Sequence, residues 1–266
     1  MQLKTQFFII SLLFFTKILL NNSIVLNKDL LAKWYPNVNQ TSELDLSFRN
    51  ITQIENYTFF GLTNLQKLNL QFNQLNAVHA FTFYGLTNLT SLYLNNNNIY
   101  FMNETSFNTL KNLTTLALFG NLLETINGTV FSPLINLEEL SLFDNYINFI
   151  NVTAFSNLIS LKRLELFTNQ ISSVNETLFA NLNNLVELNI NENRIERIER
   201  YTFANMTKLQ FLDLSSNKLD YLEALIFEGM DELHDVFLSD NPITKRDPIY
   251  VSSLCVTHPK CRIYIY

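Results

Sequence analysis

The chain has 266 residues, of which 47% are hydrophobic and 16% charged, a composition that supplies a core and excludes a disordered chain. Its net charge of -6 argues against a nucleic-acid partner, because such binders cluster Lys and Arg; a basic protein or peptide suits it better. Length alone leaves open one large domain or two small ones.

The first elements in the chain are apolar. Met1-Gln2-Leu3-Lys4 and the run Phe7 to Phe15 read as the charged and hydrophobic parts of a signal peptide, assigned to residues 1–22. An uncleaved membrane anchor is the competing reading, but Lys17 interrupts the run well short of the roughly 20 apolar residues a spanning helix needs. The expected product is secreted, with a peripheral place at the cell surface as the alternative and no transmembrane segment beyond the signal peptide. Residues 23–40 follow as a capping segment, whose Leu26, Leu30, Leu31 and Trp34 are placed to cover the first of the units that come next.

From residue 41 to 243 the sequence repeats at a period of 24 residues, without insertion or deletion across nine units. Each unit has an apolar pair around one variable residue, from Leu44/Leu46 and Leu68/Leu70 to Val236/Leu238. Such alternation predicts a short strand. Three residues beyond each pair stands an Asn, from Asn73 to Asn241, with Arg49 departing in the first unit. The chain turns there, and an amide side chain with both donor and acceptor can pair the backbone groups that the turn strands. Further columns hold Ile51 to Ile243, Phe59 to Phe227, and Leu62 to Met230. One unit buries too little to order itself, so neighbouring units must complete its strand hydrogen bonds and seal its core.

The pattern LxxLxLxxNxLxxLxxxxFxxL, as in Leu65 to Leu86, resembles the 24-residue class of extracellular leucine-rich repeat, found in Toll-like receptor ectodomains, small matrix proteoglycans and insect secreted or cell-surface proteins. The resemblance implies an α/β solenoid, a right-handed horseshoe with a parallel sheet on its concave side and irregular or short helical segments on its convex side. Residues 244–266 resemble a reduced C-terminal cap carrying Cys255 and Cys261. Cys255, His258 and Cys261 also space three metal ligands, but secretion favours a disulfide and zinc normally takes four ligands.

Glycosylation sequons open at Asn21, Asn39, Asn50, Asn56, Asn88, Asn103, Asn112, Asn127, Asn151, Asn175 and Asn205, a density that suits a secretory product. Asn103, Asn127, Asn151 and Asn175 share one column, and no sequon falls on the variable strand positions. Those positions should point into the concavity, stacked at roughly 4.8 Å from repeat to repeat. One column reads Ser47, Gln71, Asn95, Phe119, Phe143, Phe167, Asn191, Ser215, so three consecutive exposed Phe are expected in a polar frame, a usual mark of an interaction site. Tyr93, Glu139, Asp144, Arg163, Glu165 and Glu187 surround them and complete the expected partner-binding set. Stacking of the Phe rings to strengthen the sheet is the other reading, and the two are compatible.

Catalysis is not expected. The three His, His79, His234 and His258, lie far apart along the repeats, and no phosphate-binding Gly-rich loop, HExxH or GxSxG occurs. No cofactor is implied. The expected function is a secreted protein-binding module presenting its concave face to a protein or peptide, in immune recognition or cell-surface signalling. A structural matrix or adhesion component is the alternative, and a homo-oligomer is compatible with either.

Overall fold

The computed structural model describes residues 23–223, 225–245, 248–255 and 260–265. The proposed signal peptide, Asn21 and His258 lie outside these residues.

A ten-stranded parallel sheet runs the length of the molecule. Its strands start at Glu43–Asp45 and Lys67–Asn69 and recur every 24 residues to Asp235–Phe237, each paired to the next in unbroken register, as in Leu44↔Leu68 and Leu140↔Leu164. The first member of each apolar pair is the middle residue of its strand and the second follows the strand's last residue, and both are buried, Leu140 and Leu142 at 0% exposure. The tenth strand, Arg262–Tyr264, arrives after the cysteines and pairs Ile263 with Val236. The sequence reading ended the repeats at residue 243 and missed it. Its signal was present: Ile263 and Ile265 copy the apolar pair of each repeat.

The turn after each strand is held as its Asn requires. Asn145 Nδ2 donates to the carbonyls of Leu118 and Leu142 at 3.1 Å, and its Oδ1 accepts from Leu123 N–H at 3.1 Å. Asn73, Asn97, Asn121, Asn169, Asn193, Asn217 and Asn241 repeat the arrangement. Each Asn therefore ties its own strand to the previous repeat, which explains Arg49: the first unit has no previous repeat of this kind. Arg49 instead lies over the rings of Trp34 and Tyr35, at 4.9 and 5.8 Å. The residue before each Asn enters the left-handed region, from Phe72 at φ 54° to Asp240 at 54°, as does Phe48 before Arg49 at 56°. Only Gly120 is a glycine in that column, and there a Cβ would also stand 2.7 Å from Asn96 Oδ1.

On the convex side, successive three-residue turns such as Phe60 N–H to Tyr57 C=O carry the chain back. Two-residue strands pair there, Ala77–Val78 with Phe101–Met102 and Thr125–Ile126 with Phe149–Ile150. Among the described residues of the repeats no α-helix forms. Inside, Phe59, Phe83, Phe107, Phe131, Phe155, Phe179 and Phe203 stack parallel at 6.2 to 6.5 Å, fully buried.

At the N-terminal end the strand Ile24–Leu26 pairs with Ile51–Ile54, and the helix Lys28–Trp34 starts at Asn27, whose side chain accepts from Leu30 N–H. Leu26 and Leu31 are buried in the core, with Leu30 and Trp34 half-buried against it. Tyr35 Oη donates to the Asp45 carbonyl and Thr41 Oγ1 to that of Glu43, so acceptors of the first strand are satisfied without a partner strand. At the other end Cys255 and Cys261 form a disulfide.

Candidate partner-binding face

Pleating sends the residues beside each apolar pair out of the sheet on one side, so side chains 24 residues apart stand one above another. Phe119, Phe143 and Phe167 are brought together in this way, their rings face to face at 4.3 and 4.2 Å and within 8° of parallel. Sequence reasoning expected these rings exposed. They are half-buried, because each covers much of its neighbour's face. The stack ends against amides: Asn95, whose Nδ2 donates to Gln71 Oε1 at 3.2 Å, and Asn191, whose Nδ2 donates to Asp213 Oδ2 at 3.0 Å. A second, much more open pair, Phe48 and Phe72, stacks at 4.5 Å near the N-terminal end of the same face. Phe48 is 69% exposed, and both residues hold positive φ, a conformation that bulky side chains rarely take.

The other expected site residues divide into those already engaged and those left open. Arg163 Nη2 meets Glu187 Oε2 at 3.1 Å, and Ser141 Oγ donates to Glu165 Oε2. Tyr93 lies under Lys67 Nζ, 5.5 Å from the ring centre. Glu139, which opens the strand leading to Phe143, and Asp144, in the turn just after it, are both exposed and their carboxylates take no partner among the described residues. Further along the face Asp235 accepts from Tyr264 Oη, whereas Asp240 is exposed. Among the described strand residues the cations Lys67, Arg163 and Arg262 are outnumbered by Glu43, Asp45, Glu139, Glu165, Glu187, Asp213 and Asp235, so the concave field is negative. Asp45, near the N-terminal end, is held below the usual carboxylate range first by the Ser47 hydroxyl, then by Ser47 N–H.

His79 and His234 sit on repeats far apart, and among the described residues no three His, Cys, Asp or Glu side chains group to hold a metal ion. Both cysteines are consumed by their mutual bond.

The sequence reading missed two features. The first is a flank ladder: Asn64, Asn88, Asn112, Asn136 and Asn184 each donate Nδ2–H to a carbonyl of the preceding repeat at 2.8 to 2.9 Å. Asn157, Asn181 and Asn205 form a parallel series. The sequon residues Asn88, Asn112 and Asn205 thus have a structural reason to be Asn. The second is a convex aromatic cluster of Tyr57, Phe60, Phe81 and Tyr84. Its residues fall in columns where most other repeats carry small or polar side chains, which a search for shared columns passes over.

The model of the leucine rich repeat family matches residues 39–99 and 87–147, and that of the BspA type leucine rich repeat region matches residues 124–250. No curated protein matches the sequence. Among solved structures, TLR13 in its complex with ssRNA13 superposes with a TM-score of 0.78 at 30% identity, over 84% of this chain and 32% of that one. Drosophila Toll, from its complex with Spatzle, gives 0.71 at 27% identity over 76% of this chain and 28% of that one. A leucine-rich-repeat protein of Leptospira interrogans gives 0.67 at 26% identity, over 83% and 59%. The chain thus spans about a third of the two receptor chains. Among the described residues no helix is long and apolar enough to cross a membrane. With family models covering most of the chain and its 24-residue repeats paired strand to strand, the protein belongs to the leucine-rich-repeat family and resembles Toll-like ectodomains.

Proposed function

We propose that the chain is an extracellular recognition module whose concave face takes a basic segment of a protein or peptide, in immune recognition or cell-surface signalling. One observation carries this reading: the stacked Phe119, Phe143 and Phe167 present a continuous apolar strip beside the unpaired carboxylates of Glu139 and Asp144. An apolar centre with charge at its edge is how interfaces are commonly built, the centre setting the off-rate and the charge steering encounter. The disulfide fits an oxidising compartment, and Toll, a similar chain, is seen in complex with a protein. TLR13 is seen with RNA, but the negative concave field here repels a phosphate backbone.

The test is capture from extracellular fluid with the immobilised, secreted protein as bait. Charge reversal at Glu139 and Asp144 should slow association and weaken its salt dependence, and Phe143→Ala should speed dissociation. Capture that survives all three substitutions unchanged removes the concave face as the site.

A further inference from the structure

The convex aromatic cluster has no role in concave-face binding. Tyr57 stacks on Phe81 at 5.1 Å and meets Tyr84 edge-on at 5.5 Å, while Phe60 stacks on Tyr84 at 5.9 Å. Each of the four residues is at least 41% exposed. Beside the cluster opens a cavity of about 660 Å³ built by three successive repeats: Glu55 and Asn56 from the first, His79 and Phe81 from the second, Asn103 from the third. That volume lies in the range of small-molecule sites, ~300–1,000 Å³.

Two wall residues, Asn56 and Asn103, open sequons. Asn103, like Asn151 and Asn175 of the same column, is held by its own sequon: its Oδ1 accepts from Thr105 N–H at 3.0 Å and from the Thr105 hydroxyl at 2.8 Å. Its Nδ2 donates to no described residue. The amides of Asn88, Asn112 and Asn205, by contrast, are tied to the preceding repeat.

We propose that this cavity seats the innermost N-acetylglucosamine of a glycan on Asn103, with the C–H face of the sugar ring on Phe81 and its polar edge toward Glu55 and His79. The inference rests on the secretory reading. Attachment joins Asn103 Nδ2 to sugar C1, breaks the C1–O bond to a lipid-linked diphosphate donor, and releases the amide proton with that diphosphate. A pyranose suits the site because it has an apolar face for an aromatic ring and hydroxyls that need donors and acceptors. The cavity supplies both, and its own wall supplies the point of attachment. Covalent attachment also removes most of the entropic cost of seating the sugar.

The experiment compares the full chain, Asn103→Gln, Phe81→Ala and the double variant, all secreted from a glycosylating host, by glycopeptide mass spectrometry and thermal unfolding. Sugar should be found on Asn103, and Asn103→Gln should lower the melting temperature by about 2 to 4 °C, the shift ~1 kcal/mol produces in a chain of this size. In the Phe81→Ala background that shift should vanish. The same Asn103→Gln comparison in protein from a non-glycosylating host should show no shift; an equal shift there assigns the effect to the lost Thr105 contacts and overturns the proposal. Asn103 bare while other sequons carry sugar overturns it too, as does an Asn103 effect unchanged by Phe81→Ala. A dimer in sedimentation that Phe81→Ala dissolves gives the patch to a second copy instead. A chain bare at every sequon would remove the secretory reading itself.

Discussion

Phe143→Ala separates stacking from recognition. Phe143 is the middle ring of three and loses two face-to-face contacts on truncation, at 4.3 and 4.2 Å, whereas Phe119 and Phe167 each lose one. An aromatic pair is worth about 0.5–1.5 kcal/mol beyond its area. Truncation at the centre should therefore cost about 1–3 kcal/mol, and truncation at either end about half as much. The three side chains are similarly half-buried, so their area terms nearly cancel in the comparison. Urea unfolding of the three single variants reads the ratio directly, with the slope against urea unchanged. If the strip is also the partner's seat, Phe143→Ala should weaken capture under conditions where the variant remains folded. Equal losses at centre and ends would show that the rings do not act through their stack. Unchanged capture would leave them a purely structural role.

Other outcomes follow from the same contacts. Asn145→Ala strands the buried Leu123 N–H and removes one of two amide donors from each of the Leu118 and Leu142 carbonyls, which keep Asn121 and Asn169, so at roughly 1–3 kcal/mol for the one orphaned group it should cost about as much in chemical unfolding as Phe143→Ala. Asp45 has a depressed folded pKa, so its contribution is present above the unfolded value near ~3.9 and is lost as pH falls through the folded value. Ser47→Ala should raise the Asp45 pKa in an NMR titration, and an unmoved titration would show that the hydroxyl is not its cause. Cys255→Ser opens a short loop worth about 2 kcal/mol of chain entropy, and the loss should stay local. Hydrogen exchange should quicken at Leu238 N–H, which donates to the Tyr264 carbonyl, and not at Leu142 N–H in the middle of the sheet.

What the sequence revealed and what it hid divide along one physical line. A contact repeated in every unit writes a column, so Leu140, Asn145 and Phe155, each buried by its counterparts 24 residues away, could be assigned from periodicity alone. A contact made once writes nothing periodic. The Phe119, Phe143 and Phe167 stack was visible because three successive units share it, but its half-burial was not, since side-chain exposure depends on how closely the rings approach. The convex cluster was missed because Tyr57 and Phe81 come from one column, Phe60 and Tyr84 from another, and in neither column does the aromatic character run on into the next repeats, which carry Thr105 and Asn108. The strand Arg262–Tyr264 was missed because the chain between Ile243 and Arg262 breaks the 24-residue spacing, although the alternation of Ile263 and Ile265 survives. The asparagine columns were read once as a ladder and elsewhere only as sequons, and the flank hydrogen bonds show that one residue type serves both uses.

The curvature that arranges these surfaces comes from the same columns. Buried Phe rings hold successive repeats 6.2 to 6.5 Å apart on the convex side of the sheet, while strand pairing holds the backbones at ~4.8 Å. The molecule must bend toward its strands, and rings beyond the sheet approach to between 4.2 and 4.5 Å, closer than the strands that carry them. Side chains on the concave side are therefore compressed into one continuous surface, on which residues from three repeats act as a single strip suited to an extended or flat partner. Those on the convex side are spread apart, so that clefts open between repeats, as at Asn56, Phe81 and Asn103. The wedge of one buried Phe per repeat thus gives the two sides different chemistry: a shared face for recognition and separate clefts with room for a bulky group.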